Sequence, residues 1–355
     1  HRVHEDGLQE VQSWAEEKQE DYEFDRLEKL AEKLHVETYH IVQSIEGTFP
    51  AKVEKKWPML SSEQKTVTRE RLVEFKRVAG NFKAKFPDSG KAELQDCRAI
   101  GRNALLLAVD GHEERALKDL CEASARLERG YEKAVSQNDN PEEWTFSWKL
   151  ISGWIVNITT ERKHHVSEQL LAMNSQIRAL DARAKYIGGP WDEYNPFGVR
   201  SRRMWLLINS GKQNKARADA RSVITGCESL KQAGNDLIQV NSALRQAHQL
   251  LFEYPENPAD LEARLLQGRE MLRYYEISIE KKLLTTDASM EGYAHRLFEV
   301  AELSKDVSQY KEEAIALTEK SIKILEHLKS VSPEKIANLI KERKEKLMEW
   351  RKPTN

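Results

Sequence analysis

Through most of the chain, apolar residues recur three and four positions apart, the spacing that gathers them on one face of an α-helix. Leu8, Val11 and Trp14 begin the series, and Leu27, Leu30, Leu34, Ile41 and Ile45 mark a second helix that ends near Gly47-Thr48-Phe49-Pro50. After a linker at Trp57–Ser62, the next helix carries Leu72, Phe75, Ala79, Phe82 and Phe86 and stops at Pro87-Asp88-Ser89-Gly90. Helices follow near 91–109 and 113–135, separated by Asp110-Gly111. The alternation that would mark a pair of β-strands is missing.

Two helix starts are spelled out in full. Asn140-Pro141-Glu142-Glu143 and Ser332-Pro333-Glu334 each combine a capping side chain, proline at the first helical position and acid in the first turn. From the first of them Trp144, Trp148, Ile151, Ile155, Ile158, Val166, Leu170, Met173, Ile177, Leu180, Ala184 and Ile187 keep the helical period. The pattern predicts one long central helix over 141–187, or two nearly collinear ones, on the order of 70 Å if unbroken. Gly153 and the β-branched run from Ile155 to Thr160 are where it would bend.

Gly188 to Gly198 reads Gly-Gly-Pro-Trp-Asp-Glu-Tyr-Asn-Pro-Phe-Gly, and the sequence predicts an irregular loop here, a joint between the long helix and shorter ones. Loops held by a rigid scaffold are where binding chemistry concentrates. Beyond it Val199–Ile208 forms a brief helix, segments 212–232 and 235–253 flank Gly234, and Tyr254-Pro255-Glu256-Asn257-Pro258 is a stop. Leu261, Leu265, Leu272, Tyr275, Ile279 and Leu283 mark another long helix, and three more reach Trp350. The expected architecture is all-α, an array of antiparallel helical hairpins of the α-solenoid kind. It comprises an N-terminal bundle over 1–135, the central helix over 141–187 and a hairpin region over 199–355, since short connections favour antiparallel neighbours.

Composition agrees with this. Of 355 residues 32% are charged and 39% hydrophobic, with 16 glycines and 10 prolines, the make-up of amphipathic helices. The net charge of −2, from 56 basic and 58 acidic side chains, supplies no global field to draw nucleic acid or an anionic membrane. No run approaches the roughly 18 apolar residues of a membrane span, and His1-Arg2-Val3-His4-Glu5-Asp6 has no apolar core of a signal peptide. Cys97, Cys121 and Cys227 form no CxxC pattern, so neither a disulfide framework nor a structural zinc site is suggested and a cytoplasmic or other reducing compartment is expected. Asn157-Ile158-Thr159 is formally a glycosylation sequon but lies within a helical pattern.

The stretch Leu297-Phe298-Glu299-Val300-Ala301-Glu302-Leu303 and then Gln309 to Leu325, Gln-Tyr-Lys-Glu-Glu-Ala-Ile-Ala-Leu-Thr-Glu-Lys-Ser-Ile-Lys-Ile-Leu, resembles one tetratricopeptide repeat. Ala314 stands where that family has a small residue for close helix packing, and Tyr310 lies one place from the usual turn aromatic. Glu302 replaces the family's glycine and Ser321 its second small residue. The resemblance covers about one repeat, near residues 297–329, and a 34-residue period is not found elsewhere; Arg115-Ala116-Leu117 and Lys215-Ala216-Arg217-Ala218 echo it. It implies a superhelical stack whose concave face binds a peptide or protein partner. The competing reading of the segment is an ordinary helical hairpin.

Candidate chemistry is sparse. Glu32–His35, Glu37–His40 and Glu161–His164 match Glu-x-x-His, the spacing of carboxylate and imidazole in di-iron bundles, yet this spacing arises by chance in a glutamate-rich chain and such a site needs partners on further helices. No Gly-x-Ser-x-Gly, phosphate-binding loop, dinucleotide fingerprint or aspartate-rich metal motif occurs, so no catalytic residue, metal or cofactor is assigned. Arg200, Arg202 and Arg203, beside Trp191, Tyr194, Phe197 and Trp205, are the best local candidates for an anion contact with a phosphate or a carboxylate-bearing peptide. Asp192 and Glu193 in the same cluster argue against nucleic acid. The opposing reading makes the aromatics gap fillers and pairs the arginines with nearby acids.

The sequence thus points to a helical scaffold that binds a protein or peptide, with enzyme activity unsupported. A metal-dependent helical enzyme of the Glu-x-x-His type, or a membrane-associated or coiled-coil homodimer, are the alternatives, although heptads are not sustained and no basic face dominates.

Overall fold

The computed structural model describes residues 18–39, 59–161, 163–235, 237–328 and 331–352. Among them thirteen α-helices and no strand occur, as the apolar spacing predicts. The described residues up to Gly188 form one compact unit and those from Gly189 a second. The first holds α1 (18–39), α2 (Ser62–Lys85), α3 (Gly90–Val109), α4 (Glu113–Ser136), α5 (Glu142–Glu161) and α6 (Val166–Tyr186). The second holds α7 (Pro190–Asn209), α8 (Gln213–Gln232), α9 (Ile238–Glu253), α10 (Leu261–Glu280), α11 (Asp287–Ser304), α12 (Lys311–Glu326) and α13 (Pro333–Trp350). Within each unit successive helices pack on one another, and α3–α4, α5–α6, α7–α8, α9–α10 and α11–α12 make the broadest pairings. The chain is a helical repeat protein whose unit is the hairpin. The helices at Leu8–Trp14 and Ile41–Ile45 expected from sequence lie outside the described residues.

The hairpins follow from how the helices end. At six ends one residue adopts a left-handed backbone (Gly111, Asn138, Lys163, Gly211, Gly234 and Lys282) and the next N–H reaches back five residues to an orphan carbonyl. His112 donates to Leu107 at 2.8 Å, Lys212 to Leu207 at 2.8 Å and Asn235 to Leu230 at 2.9 Å. This is the Schellman closure, and it turns the chain sharply. Two other helices end at an aromatic residue before proline, Phe86-Pro87 and Tyr254-Pro255, where the proline ring excludes its predecessor from helical geometry.

The central rod is not present. Residues 142–186 are α5 and α6, packed face to face, because Lys163 takes a left-handed φ of 52° and His164 donates its N–H to Thr159 O at 3.0 Å. The segment 188–198 is not a loop either. Gly189, at φ 94°, lies ahead of Pro190 at the first position of α7, and Asp192 and Glu193 fill its first turn. Those are the start signals of α5, with glycine in place of asparagine. Pro196 lies inside α7 and costs it one backbone hydrogen bond.

Helices approach closely where a glycine on one receives a large side chain from another. A Cβ at Gly130 of α4 would meet the Trp144 ring at 2.0 Å, and one at Gly226 of α8 would meet Phe197 of α7 at 2.0 Å. Gly268 of α10 likewise seats Phe252 at 3.0 Å, and Gly101 of α3 seats Ile151 at 2.6 Å. Around these seats lie the apolar cores. In the first unit Ala31, Leu34, Phe75, Val78, Phe82 and Ala99 join α1, α2 and α3. In the second, Phe252, Leu272, Tyr275, Tyr293, Leu297 and Val300 join α9, α10 and α11, while Trp350 closes over Phe298 and Ala314.

Gly130→Ala should therefore destabilise the first unit by about 1–3 kcal/mol through overpacking. Gly80→Ala, where a Cβ meets nothing within 4 Å, should stabilise it by about 0.5–1 kcal/mol through helix propensity. Urea denaturation followed by far-UV circular dichroism checks both, and equal effects of the two would refute the seat.

Candidate binding face on helix α7

Because α7 is a helix, its side chains are distributed at about 100° per residue, and adjacent arginines diverge. Trp191, Tyr194, Asn195, Gly198, Arg202 and Trp205 fall three or four apart and share one stripe. Trp191 is 53% exposed and meets Tyr194 edge-on, with ring centroids 6.5 Å apart. The Tyr194 ring lies along the helix over Gly198, so close that a Cβ there would stand 3.2 Å from the hydroxyl oxygen. Burial pushes the Tyr194 hydroxyl up to about 12, so it remains a donor at neutral pH. Arg202 is exposed at its surface and forms no ion pair among the described residues, while the protein packed around its guanidinium lowers its pKa.

The other two arginines point elsewhere. Arg203 turns toward α8, where its Nε and Nη2 donate to the two oxygens of the buried Asp219 at 2.7 and 2.5 Å. That bidentate tie holds the α7–α8 hairpin. Arg200 lies over the Phe197 ring at 5.6 Å, the same ring that is seated on Gly226. Of the sequence-predicted residues, Trp191, Tyr194 and Arg202 thus share the exposed stripe and Arg200 and Arg203 leave it. Asn195 belongs to the stripe and was missed, although it sits two helical turns before Arg202.

A second polar cluster, in the first unit, was also missed. Its signal is two arginines inside an otherwise small and apolar stretch of α3, Arg98 and Arg102 among Ala99, Ala104 and Leu105. Both are buried. Arg98 Nε donates to Ser147 Oγ of α5 at 2.9 Å and Nη2 to Glu143 at 3.1 Å, while Gln95 Nε2 donates to Glu32 of α1 at 2.6 Å. Arg102 Nη1 donates to the His35 carbonyl at 2.6 Å and to Thr38 Oγ1, and Nη2 donates to His35 Nδ1 at 2.8 Å. The guanidinium also lies over Phe75 at 5.4 Å and Tyr39 at 5.7 Å. Burial first, and then the charges of Arg102 and Arg98, lower His35 to about 2, so the ring is neutral and can accept.

The Glu-x-x-His pairs do not converge. Glu37 stands 3.9 Å from both Lys33 and Arg71, and His40 lies outside the described residues. Glu161 ends α5, and His164 bridges Glu113 and Glu168 across the α5–α6 turn. The Glu113 hydrogen bond foremost, then Glu168, raises His164 above the ordinary histidine value. Among the described residues no three His, Cys, Asp or Glu side chains come together as a metal site, and no helix is long and apolar enough to cross a membrane.

No family model matches the chain, and no curated protein matches it in sequence. Among solved structures it is similar to the hypoxic regulator of sterol synthesis described as a nuclear import adaptor, at 12% identity over 88% of this chain and 99% of that one, with a TM-score of 0.46. It is also similar to a circular tandem repeat protein with novel repeat topology and enhanced subunit contact surfaces, at 12% identity over 91% of this chain and 76% of that one, with a TM-score of 0.32. At that level neither likeness carries an argument about what this chain binds.

Arg203→Ala leaves the Asp219 carboxylate buried without its partner and should cost roughly 3 kcal/mol, whereas Arg202→Ala should change stability by less than about 0.5 kcal/mol. Thermal melts of the two variants separate them, and a neutral Arg203→Ala would refute the tie. His35, whose folded value is depressed, contributes stability that is fully present above its ordinary value and lost as pH falls toward the folded one. Between pH 7 and pH 5 the first unit should lose about 2 kcal/mol relative to a His35→Asn variant. Parallel pH profiles of the two proteins would refute it.

Proposed function

We propose that the chain is a non-catalytic helical scaffold that binds a protein partner through an anionic group on the exposed stripe of α7. One observation carries this reading: Arg202, which forms no ion pair among the described residues, shares a face with the 53% exposed Trp191, with Tyr194 between them. Other arginines of the second unit are held by groups of the chain itself: Arg203 by Asp219, Arg269 by Glu313 and Arg296 by Glu253, Arg264 by the Phe252 carbonyl and Arg343 by Ser321. An exposed guanidinium beside large aromatic rings suits a carboxylate on an apolar backing, where the rings exclude water and the charge supplies direction.

The tetratricopeptide-like reading of the hairpin α11–α12 belongs to the same proposal. Ala314 and Ser321 are fully buried, as the small positions of such a repeat would be, while Glu302, at the family's glycine position, is half-buried. A reducing, cytoplasmic setting fits three free cysteines, of which Cys97 and Cys227 are buried and pushed up to about 12 by that burial.

A labelled octaglutamate peptide tests the reading by fluorescence anisotropy at low salt. Binding should be saturable, weaken at least tenfold in Arg202→Glu, and fall with added salt as the charges are screened. Absence of binding, or binding indifferent to Arg202→Glu, overturns it.

A further inference from the structure

The turn after α3 and the turn after α7 are the same object. Gly111 and Gly211 have φ of 84° and 75°, and the residues that follow, His112 and Lys212, have φ and ψ of −91° and 53° and of −92° and 51°. The flanking bonds match as well: Asp110 to Leu106 O at 2.9 Å against Ser210 to Leu206 O at 3.1 Å, and Ala116 to His112 O at 3.0 Å against Ala216 to Lys212 O at 3.1 Å. Burial keeps the register on both sides of the turn. Gly101, Ala104, Ala116, Leu120, Ala123 and Leu127 are buried, and so are their counterparts Ser201, Met204, Ala216, Ala220, Val223 and Cys227. Residues of α3 and α7 with the same distance to the turn glycine are therefore equivalent positions of one hairpin.

On α3 two such positions hold a helix. Gln95 and Arg102 lie two turns apart, about 10 Å along the axis, and both reach α1. Gln95 donates to the Glu32 carboxylate at 2.6 Å, and Arg102 donates to the His35 carbonyl at 2.6 Å and to Thr38 Oγ1. The contacts advance along both helices together, so α1 runs parallel to α3. On α7 the equivalent positions are Asn195 and Arg202, again a carboxamide and an arginine two turns apart. Neither makes a side-chain hydrogen bond or ion pair among the described residues, and in place of the α3 residues Lys91 and Leu105 the same face carries Trp191 and Trp205.

Resting on the reading of α7 as a binding face, we propose that its occupant is an amphipathic helix of a partner protein, lying parallel to α7 as α1 lies on α3. A carboxylate near the start of that helix meets the Asn195 amide. A carboxylate, carbonyl or hydroxyl one to two turns later meets Arg202, and its apolar side packs on Trp191 and Trp205. At this position α3 has Arg98, tied to Ser147 and Glu143 of α5, whereas α7 has Gly198, which frees the groove floor and leaves it to the flat Tyr194 ring. Charge agrees with the choice of partner: Arg202 needs an acceptor, and the amide–arginine pair offers donors to one.

The chain supplies its own probe. A fluorescein-labelled, end-capped peptide of residues 18–39 carries Glu32, His35 and Thr38 at the required spacing and should bind the full-length protein in trans. Arg202→Glu should weaken it at least tenfold and Asn195→Ala about threefold, with both variants keeping the parent melting temperature. A peptide with Lys29→Pro, which breaks the helix at a residue exposed in α1, should bind at least tenfold more weakly. Equal binding of the proline peptide overturns the helical occupant while leaving the anionic reading standing. Binding that ignores both Arg202→Glu and Asn195→Ala overturns the placement on α7, and failure of this peptide and of octaglutamate alike overturns both.

Discussion

A helical hairpin in this chain depends on how near two helix axes can come, and that is set where a large side chain lies against bare backbone. Trp144 on Gly130, Phe197 on Gly226 and Phe252 on Gly268 each need the space that a Cβ would take. Because the ring can enter only at the glycine, the contact fixes the axial position of one helix on the other as well as the distance. Everything placed on the outer faces inherits that register. Phe197 on Gly226 turns α7 so that Arg203 meets Asp219 and Arg202 faces outward. The same constraint explains why the hairpins tolerate varied surface charge: the ring seats and small buried residues specify the packing.

Buried arginines supply a second level of specification. Removing a guanidinium from water is costly unless its donors are met, and a wrong register would leave them unmet. Arg98 meets a hydroxyl and carboxylates, and Arg102 a carbonyl, a hydroxyl and an imidazole. Arg343 of α13 is fully buried against Phe298, with Nη1 on Ser321 Oγ and Nη2 on His295 Nδ1 at 3.2 Å. Ser321 in turn donates to the Ala294 carbonyl at 2.6 Å, so one small residue both admits the helix and receives the arginine. The neutral acceptors around Arg102 make that tie sensitive to the protonation of His35 rather than to salt.

Most helices were legible because their apolar spacing and their proline-and-acid starts are local properties. The misreadings share one cause, which is that the same residues serve two backbone states. Lys163 adopts the left-handed turn that glycine announces elsewhere, so the break between α5 and α6 left no mark. Gly188-Gly189-Pro190 announces a loop, yet Pro190 opens a helix once the chain has turned. The repeat escaped because a 34-residue period was sought, while helices of 16 to 24 residues set a hairpin period of roughly fifty. Leu106-Leu107 before Gly111 and Ala116, and Leu206-Leu207 before Gly211 and Ala216, were visible all along at a separation of one hundred. At the candidate site, three near-adjacent arginines looked like one cluster; only the helix rotation shows that they serve three faces.

In the two equivalent hairpins one scaffold position serves folding on α3 and, in the proposed reading, recognition on α7. On α3, Lys91, Leu94 and Arg98 accompany the amide–arginine pair, and Arg98 ties α3 to α5 while α1 covers the pair. On α7 those three positions have become Trp191, Tyr194 and Gly198. The change removes two long charged side chains and adds two large rings, one of which lies flat where the arginine stood. A residue needed only for internal packing would be buried by such a change, yet Trp191 remains 53% exposed and Arg202 remains exposed with it. Exposing a tryptophan beside a guanidinium gains nothing for the folded chain, since the ring's apolar area stays in water and the donors exchange no water for a protein partner. Both are satisfied together when a helix of opposite charge and matching apolar face lies along α7, which is the arrangement the chain already uses once within itself.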